Sequence, residues 1–238
     1  MLETSVGLDS SYAPAWNALA FRYYYDSAYS DGGKAMFQRS NEALERALAI
    51  DPDFVSAASA LVTNRTEGGE LAKAYTDAVE LVRRRPRSGQ AHFALSYVLR
   101  YAGMAEEAAQ ECETALSLDR GDNQFRSCAM VFEQLGQTDK ALQFAALESG
   151  SQWTTVRTPR ILLRGGRPKE AMEKENELKG PADSAFHIFF LGCVDPRASA
   201  EWKRAAQRTA KLTLTRKITI FLGLTWHSVV STRAASGY

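Results

Sequence analysis

The histidine and cysteine residues of this 238-residue chain are too scattered to suggest a metal site. His92, His187 and His227 stand alone, and the three cysteines never form a Cys-x-x-Cys pair. A protein metal centre needs several such ligands that converge on one point. We therefore predict no metal site, and we expect each histidine to lie at the surface or in ordinary packing.

Sequence motifs for catalysis and nucleotide binding are also missing. The chain contains no GxxxxGK[ST], GxGxxG, HExxH or GxSxG motif. The stretch Asp31-Gly32-Gly33-Lys34 is glycine-rich, but no strand-like pattern precedes it, so a turn is favoured over a phosphate-binding loop. We predict no catalytic residue, no cofactor, no small-molecule substrate and no enzymatic activity.

The composition is that of a folded globular protein. Hydrophobic residues make up 45% of the chain and charged residues 24%, with 7 prolines and 3 cysteines, which excludes a collagen-like or disulfide-scaffold protein. The first residues lack the basic and apolar regions of a secretory signal. Cys112, Cys128 and Cys193 are odd in number and widely spaced, which favours buried thiols in a reducing compartment. These features predict a cytoplasmic protein.

The net charge of +1 is unevenly distributed along the chain. Residues 196–238 contain eight basic residues and one acidic residue, so this tail carries +7 and the remainder carries −6. Such a tail suits an anionic partner such as nucleic acid or a membrane surface, but a basic segment packed on an acidic body is the favoured interpretation. From 213 onward the tail is rich in β-branched residues. It is interpreted as a capping segment, a surface anchor or a non-native sequence.

The elements that would position any binding residue repeat along the chain. Pro52, Pro86 and Arg120 follow similar helix endings at intervals of 34 residues. Between them, apolar residues recur at helical spacing, stop at a glycine such as Gly103, and resume from Ala108. Each unit therefore reads as a helical hairpin.

These residues resemble the tetratricopeptide-repeat family, whose unit is a 34-residue helix-turn-helix. The first-helix pattern of this family is matched by Trp16, Leu19, Ala20 and Tyr23. The resemblance implies an all-α class, an α-α superhelix of hairpins with an irregular basic C-terminal tail. It implies an array over 1–178 that begins in mid-repeat, a degenerate hairpin or cap over 179–212, and the irregular tail 213–238. About eight extra residues around Asp31 predict a long first hairpin.

The resemblance also implies where a partner would bind. In this family one stripe of the first helices lines a concave groove. The positions that match this stripe, predicted to bind a partner, are Asn17, Phe21, Tyr24, Tyr25, Gln90, Phe93, Tyr97, Arg100, Tyr101, Ser127 and Gln134. Phe21 and Phe93 serve equally well as fillers of the seam between repeats. Some members hold a terminal carboxylate with Lys, Asn and Arg, but the lysines are missing here, which argues against that activity.

The sequence thus predicts a non-enzymatic scaffold or adaptor that binds a peptide or helix of a partner protein. The resemblance is to bacterial repeat regions joined to signalling proteins, so we expect the chain to act as the partner-binding part of such a protein. The terminal repeats also allow self-association. Binding of nucleic acid or a membrane surface through the basic tail is the alternative.

Overall fold

The computed structural model describes residues 1–149 and 151–177. These residues form α-helices and short 3-10 helices, with no strand among them, so the predicted all-α class is confirmed. The 3-10 helices are Asn123–Cys128 and Ala146–Glu148. The α-helices are Leu2–Leu8 (α1), Ala13–Tyr29 (α2), Gly33–Ile50 (α3), Val55–Glu67 (α4), Leu71–Arg84 (α5), Gly89–Tyr101 (α6), Ala105–Leu118 (α7), Ala129–Gln134 (α8), Thr138–Ala145 (α9), Gln152–Arg164 (α10) and Pro168–Asn176 (α11).

Successive α-helices form hairpins through turns that contain a glycine. Gly69 lies between α4 and α5, and Gly103 lies 34 positions later between α6 and α7. Both have a positive φ, 88° and 80°, which glycine adopts without steric penalty. The first turn is closed by a 2.9 Å hydrogen bond from the Glu70 amide to the Arg65 carbonyl, and the second by an equivalent bond. The predicted helix-turn-helix unit is therefore confirmed.

The first hairpin is longer than those that follow. Helix α2 has 17 residues and α3 has 18, against 13 and 14 in α4 and α5. The turn falls between Tyr29 and Gly33, as the Asp31-Gly32-Gly33 stretch predicted. The additional turn of α2 contains Tyr29, which lies at a position beyond the ends of the shorter first helices.

Small side chains allow the helices to approach closely. Helix α5 buries Ala74, Ala78 and Leu81, which lie on one face because they are spaced by four and three residues. Helix α7 buries Ala108 and Ala115 completely in the same manner. The apolar stripe of each second helix is thus covered by its neighbours in the stack.

The prediction of free thiols is wrong for two of the three cysteines. Cys112 on α7 and Cys128 in the 3-10 helix Asn123–Cys128 are buried and joined by a disulfide. Their Cα atoms lie 6.0 Å apart because α7 packs against the start of the next hairpin. The sequence spacing of 16 residues gives no sign of this pairing, which depends on how hairpins stack. Cysteine usage therefore no longer supports a reducing compartment.

The chain divides into two compact units, of which the first is Met1–Leu135 and the second begins at Gly136. Within the second unit, Leu162 of α10 and Ala171 of α11 form a small core. None of the described helices is both long and apolar enough to cross a membrane. The predicted segments 179–212 and 213–238 lie outside the described residues.

Candidate functional site

Five tyrosines of the first unit form the most distinctive surface feature of the first helices. They are contributed by α2 and α6, and we call them the tyrosine cluster: Tyr24, Tyr25, Tyr29, Tyr97 and Tyr101. The stacked pairs lie four residues apart on their helices: Tyr25 stacks with Tyr29 at a centroid distance of 5.8 Å, and Tyr97 with Tyr101 at 5.3 Å, while Tyr24 meets the Tyr25 ring edge-on at 5.9 Å. Two helices thus present a stacked aromatic pair each.

The Glu67 carboxylate at the end of α4 connects the two halves of the cluster. The Tyr24 hydroxyl lies 3.0 and 3.2 Å from its two oxygens, and the Tyr97 hydroxyl donates to Oε1 at 2.7 Å. Hydrogen bonds to an ionised acceptor are stronger than those between neutral groups. Glu67 therefore holds the first helices of three successive hairpins in register.

The same arrangement changes the acidity of the two tyrosines. Burial raises the pKa of Tyr24 and of Tyr97 well above the usual tyrosine value, and the negative charge of Glu67 raises both further. Both hydroxyls consequently remain protonated donors throughout the physiological range. The hydrogen bonds to Glu67 are retained over that range as well.

Arg100 lies over both rings of the α6 tyrosines. Its guanidinium carbon lies 4.6 Å from the centroid of the Tyr97 ring and 4.7 Å from that of Tyr101. Both distances are within the range of cation–π attraction. The side chain also contacts Met130 of α8, whose Sδ lies 3.0 Å from Nη1. Arg100 therefore links α6 to α8.

Part of the cluster stays accessible to a partner. Tyr25 is 51% exposed, Tyr101 49% and Tyr29 37%, whereas Arg100 is only 8% exposed. The accessible rings are each stacked against a neighbour, so little rotational freedom remains to be lost on binding. This is an ordered aromatic surface.

The other predicted binding residues lie elsewhere on the first helices. Asn17 donates to Ser56 Oγ at 3.2 Å, and Gln90 donates to Asp122 at 3.2 Å. Phe93 is 5% exposed and packs on Phe125, which favours its role as a filler between repeats. The remaining three, placed on α2, in the 3-10 helix and at the end of α8, are Phe21, Ser127 and Gln134. Of these six, Phe93 also contacts a member of the cluster, with its ring centroid 6.0 Å from that of Tyr97.

The histidine prediction holds where the structure describes it. His92 is partly buried, with Nδ1 2.5 Å from the Glu111 carboxylate and Nε2 3.0 Å from the Pro86 carbonyl. It is a packing residue that joins α6 to α7. The described residues include no group of three or more potential metal ligands.

No protein-family model and no curated protein matches this chain. Several solved structures match it. A thermophilic tetratricopeptide-repeat protein from Thermus thermophilus has a TM-score of 0.56 at 18% identity, over 82% of this chain and 100% of that one. A tetratricopeptide repeat protein from Parabacteroides merdae has a TM-score of 0.57 at 14% identity, over 96% of this chain and 90% of that one. The structure of pilF from Pseudomonas aeruginosa has a TM-score of 0.50 at 19% identity, over 75% of this chain and 80% of that one. The fold is that of the tetratricopeptide-repeat proteins.

Sequence analysis missed Glu67, although the 34-residue period of the tetratricopeptide repeat marks its position. Glu67 lies 34 positions before Tyr101 and so occupies the equivalent place on its own first helix. The period could therefore have placed it beside the tyrosines. A single glutamate at the end of an ordinary helix gave no chemical reason to select it.

Proposed function

We propose that this protein is a non-enzymatic interaction scaffold that binds a peptide or helix of a partner protein. The binding surface is the first-helix face of unit Met1–Leu135, centred on the tyrosine cluster. The single observation that carries the proposal is the two stacked tyrosine pairs on α2 and α6, in which Tyr25, Tyr29 and Tyr101 are 37–51% exposed. Tyrosine and arginine are enriched at the energetically dominant positions of interfaces, because they supply large contact area and polar groups together.

The accessible rings have both an apolar face and a hydroxyl group. Tyr25 and Tyr101 can therefore contact the side chains of a partner segment and hydrogen-bond its backbone. Tetratricopeptide-repeat arrays offer an extended surface of this kind. The cytoplasmic location and the link to a larger signalling protein stay predictions of the sequence.

The test is a binding experiment on the full chain. Peptides selected from a random 12-residue display library would be measured by fluorescence polarisation against the wild type and against Tyr25→Ala/Tyr101→Ala. We expect the double variant to bind at least roughly tenfold more weakly, because dominant interface side chains contribute about 2 kcal/mol or more each. Its far-UV circular dichroism should be unchanged, since both rings are half exposed.

The matched control is Tyr75→Ala. Tyr75 is 46% exposed but lies on α5, a second helix outside the cluster. Its replacement should leave peptide affinity unchanged. Equal losses in the control and the double variant would contradict the proposed surface, as would peptides that bind all three proteins alike.

A further inference from the structure

Arg100 differs from the other well-buried arginine of the first unit. Arg65, with a side chain 13% exposed, has carboxylate partners in Asp77 and Glu45. Arg100 is 8% exposed, and among the described residues no carboxylate lies within ion-pair distance of it. Its contacts are the two tyrosine rings and the Met130 sulfur. The described part of the first unit thus holds a nearly buried cation without an anion.

Such a cation is strongly disposed to accept a negative ligand. A charge removed from water is unfavourable unless it is paired, and stacking on two rings compensates only in part. A guanidinium has five N–H donors, and the contact with Met130 uses a thioether, which is a weak acceptor. The guanidinium lies against the half-exposed Tyr101 ring, which places it next to the accessible part of the cluster.

We infer that Arg100 receives the carboxylate of an Asp or Glu side chain within the bound partner segment. This inference rests on the proposed function, because the acidic residue belongs to the peptide that lies on the tyrosine cluster. The contacts with both rings hold the guanidinium in place, and its planar set of N–H groups can bind both oxygens of one carboxylate. Arg100 thereby selects peptides with an acid at one position.

The experiment uses the full chain and peptides selected on it from a random 12-residue display library. Each selected peptide would be synthesised with its acidic residue, with the matching amide, and with a free or an amidated C-terminus. We expect the Glu→Gln or Asp→Asn peptide to bind wild type roughly tenfold or more weakly, as for a lost charge-assisted hydrogen bond. The amidated and free forms should bind alike, and added salt should weaken binding of the acidic peptide only.

Substitutions of Arg100, combined with the acid-to-amide change in the peptide, complete a double-mutant cycle. Arg100→Gln should bind the acidic and amide peptides equally, and Arg100→Lys should recover part of the preference, since it keeps the charge but loses the planar donor pair. Arg83→Gln is the control, because Arg83 is exposed on α5, a second helix outside the cluster, and pairs with Glu80. It should behave as wild type. The peptide change on unmodified protein tests the inference even if an Arg100 variant folds poorly.

The outcomes separate the two proposals. Peptides that depend on Tyr25 and Tyr101 but tolerate the acid-to-amide change would overturn the inference and leave the proposed function standing. Dependence on the free C-terminus would overturn it in favour of terminal-carboxylate capture. Failure to select any peptide that the tyrosine double variant loses would overturn both.

Discussion

The hydrogen bonds of Tyr24 and Tyr97 with Glu67 predict a particular response to alkaline pH. Because the pKa of each tyrosine is raised in the folded protein, the resulting stabilisation is complete below the usual tyrosine value of about 10 and is lost as pH rises above it. Ionisation would place a phenolate against the Glu67 carboxylate. The fold must therefore open before these two tyrosines titrate.

Absorbance of tyrosinate, followed together with helicity as pH rises from about 9, checks this prediction. We expect at least two of the nine tyrosines, Tyr24 and Tyr97, to ionise only in the step at which circular dichroism is lost; burial also raises the pKa of Tyr23. In Tyr24→Phe/Tyr97→Phe the amplitude of that delayed step should fall by two tyrosines. Complete ionisation of the wild type before any loss of helicity would contradict the prediction.

At the level of single residues, sequence analysis found those binding residues that are marked by their type and by their place in the 34-residue period. The tyrosines and Arg100 were selected because they fall on the stripe of the first helices. Glu67 lies on the same stripe, but its structural role depends on the hydrogen bonds that it accepts from two tyrosine hydroxyls of other hairpins. The bond between Cys112 and Cys128 was missed for the same reason, since it depends on stacking between hairpins.

At the level of elements, the start of α6 leaves no room for a side chain at Gly89. A Cβ added at Gly89 would lie 2.9 Å from the Ala115 carbonyl oxygen and 3.0 Å from the Phe125 ring. Both neighbours belong to packed elements that cannot easily move. Gly89→Ala should therefore lower the free energy of unfolding by about 1–3 kcal/mol, as for other overpacked cores.

The control for this prediction is Gly7→Ala on α1. An added Cβ at Gly7 meets nothing within 4 Å, so the substitution should leave stability unchanged or raise it by up to about 1 kcal/mol. Urea unfolding of the two variants gives the comparison. A Gly89→Ala protein as stable as wild type would show that α6 stacks on the next hairpin more loosely than these distances require.

The helix pairs were largely predictable because a glycine and a resumed apolar stripe mark each turn. The segment after α7 was not, since a 3-10 helix precedes the short α8 where a single helix was expected. Its Phe125 is completely buried against Phe93 and Gly89 of the preceding hairpin. A local pattern carries no information about such a contact.

At the level of the whole first unit, the described helices pack chiefly on neighbours in the chain. Stability in such a stack is approximately a sum of repeat terms and nearest-neighbour terms. Leu44 is 1% exposed in the core around the first hairpin, so Leu44→Ala should cost about 2–5 kcal/mol there. The effect should diminish along the stack.

Hydrogen exchange measured by mass spectrometry tests this gradient. In Leu44→Ala, protection should fall most in α2 and α3 and least in α8. Val131→Ala, at an equally buried position of α8, should give the opposite gradient. Uniform loss of protection across Met1–Leu135 in both variants would show that the unit unfolds as one body.

The link between Cys112 and Cys128 also has a mechanical consequence. When a repeat array is pulled from its two ends, its helices peel away and the chain lengthens toward its full contour. The 16 residue steps between these sulfur atoms would contribute roughly 50 Å to that contour. With the bond intact this length stays hidden, so single-molecule extension should end about that much shorter than under a reductant. The length of the fully extended molecule would thus report whether this buried disulfide is intact or reduced.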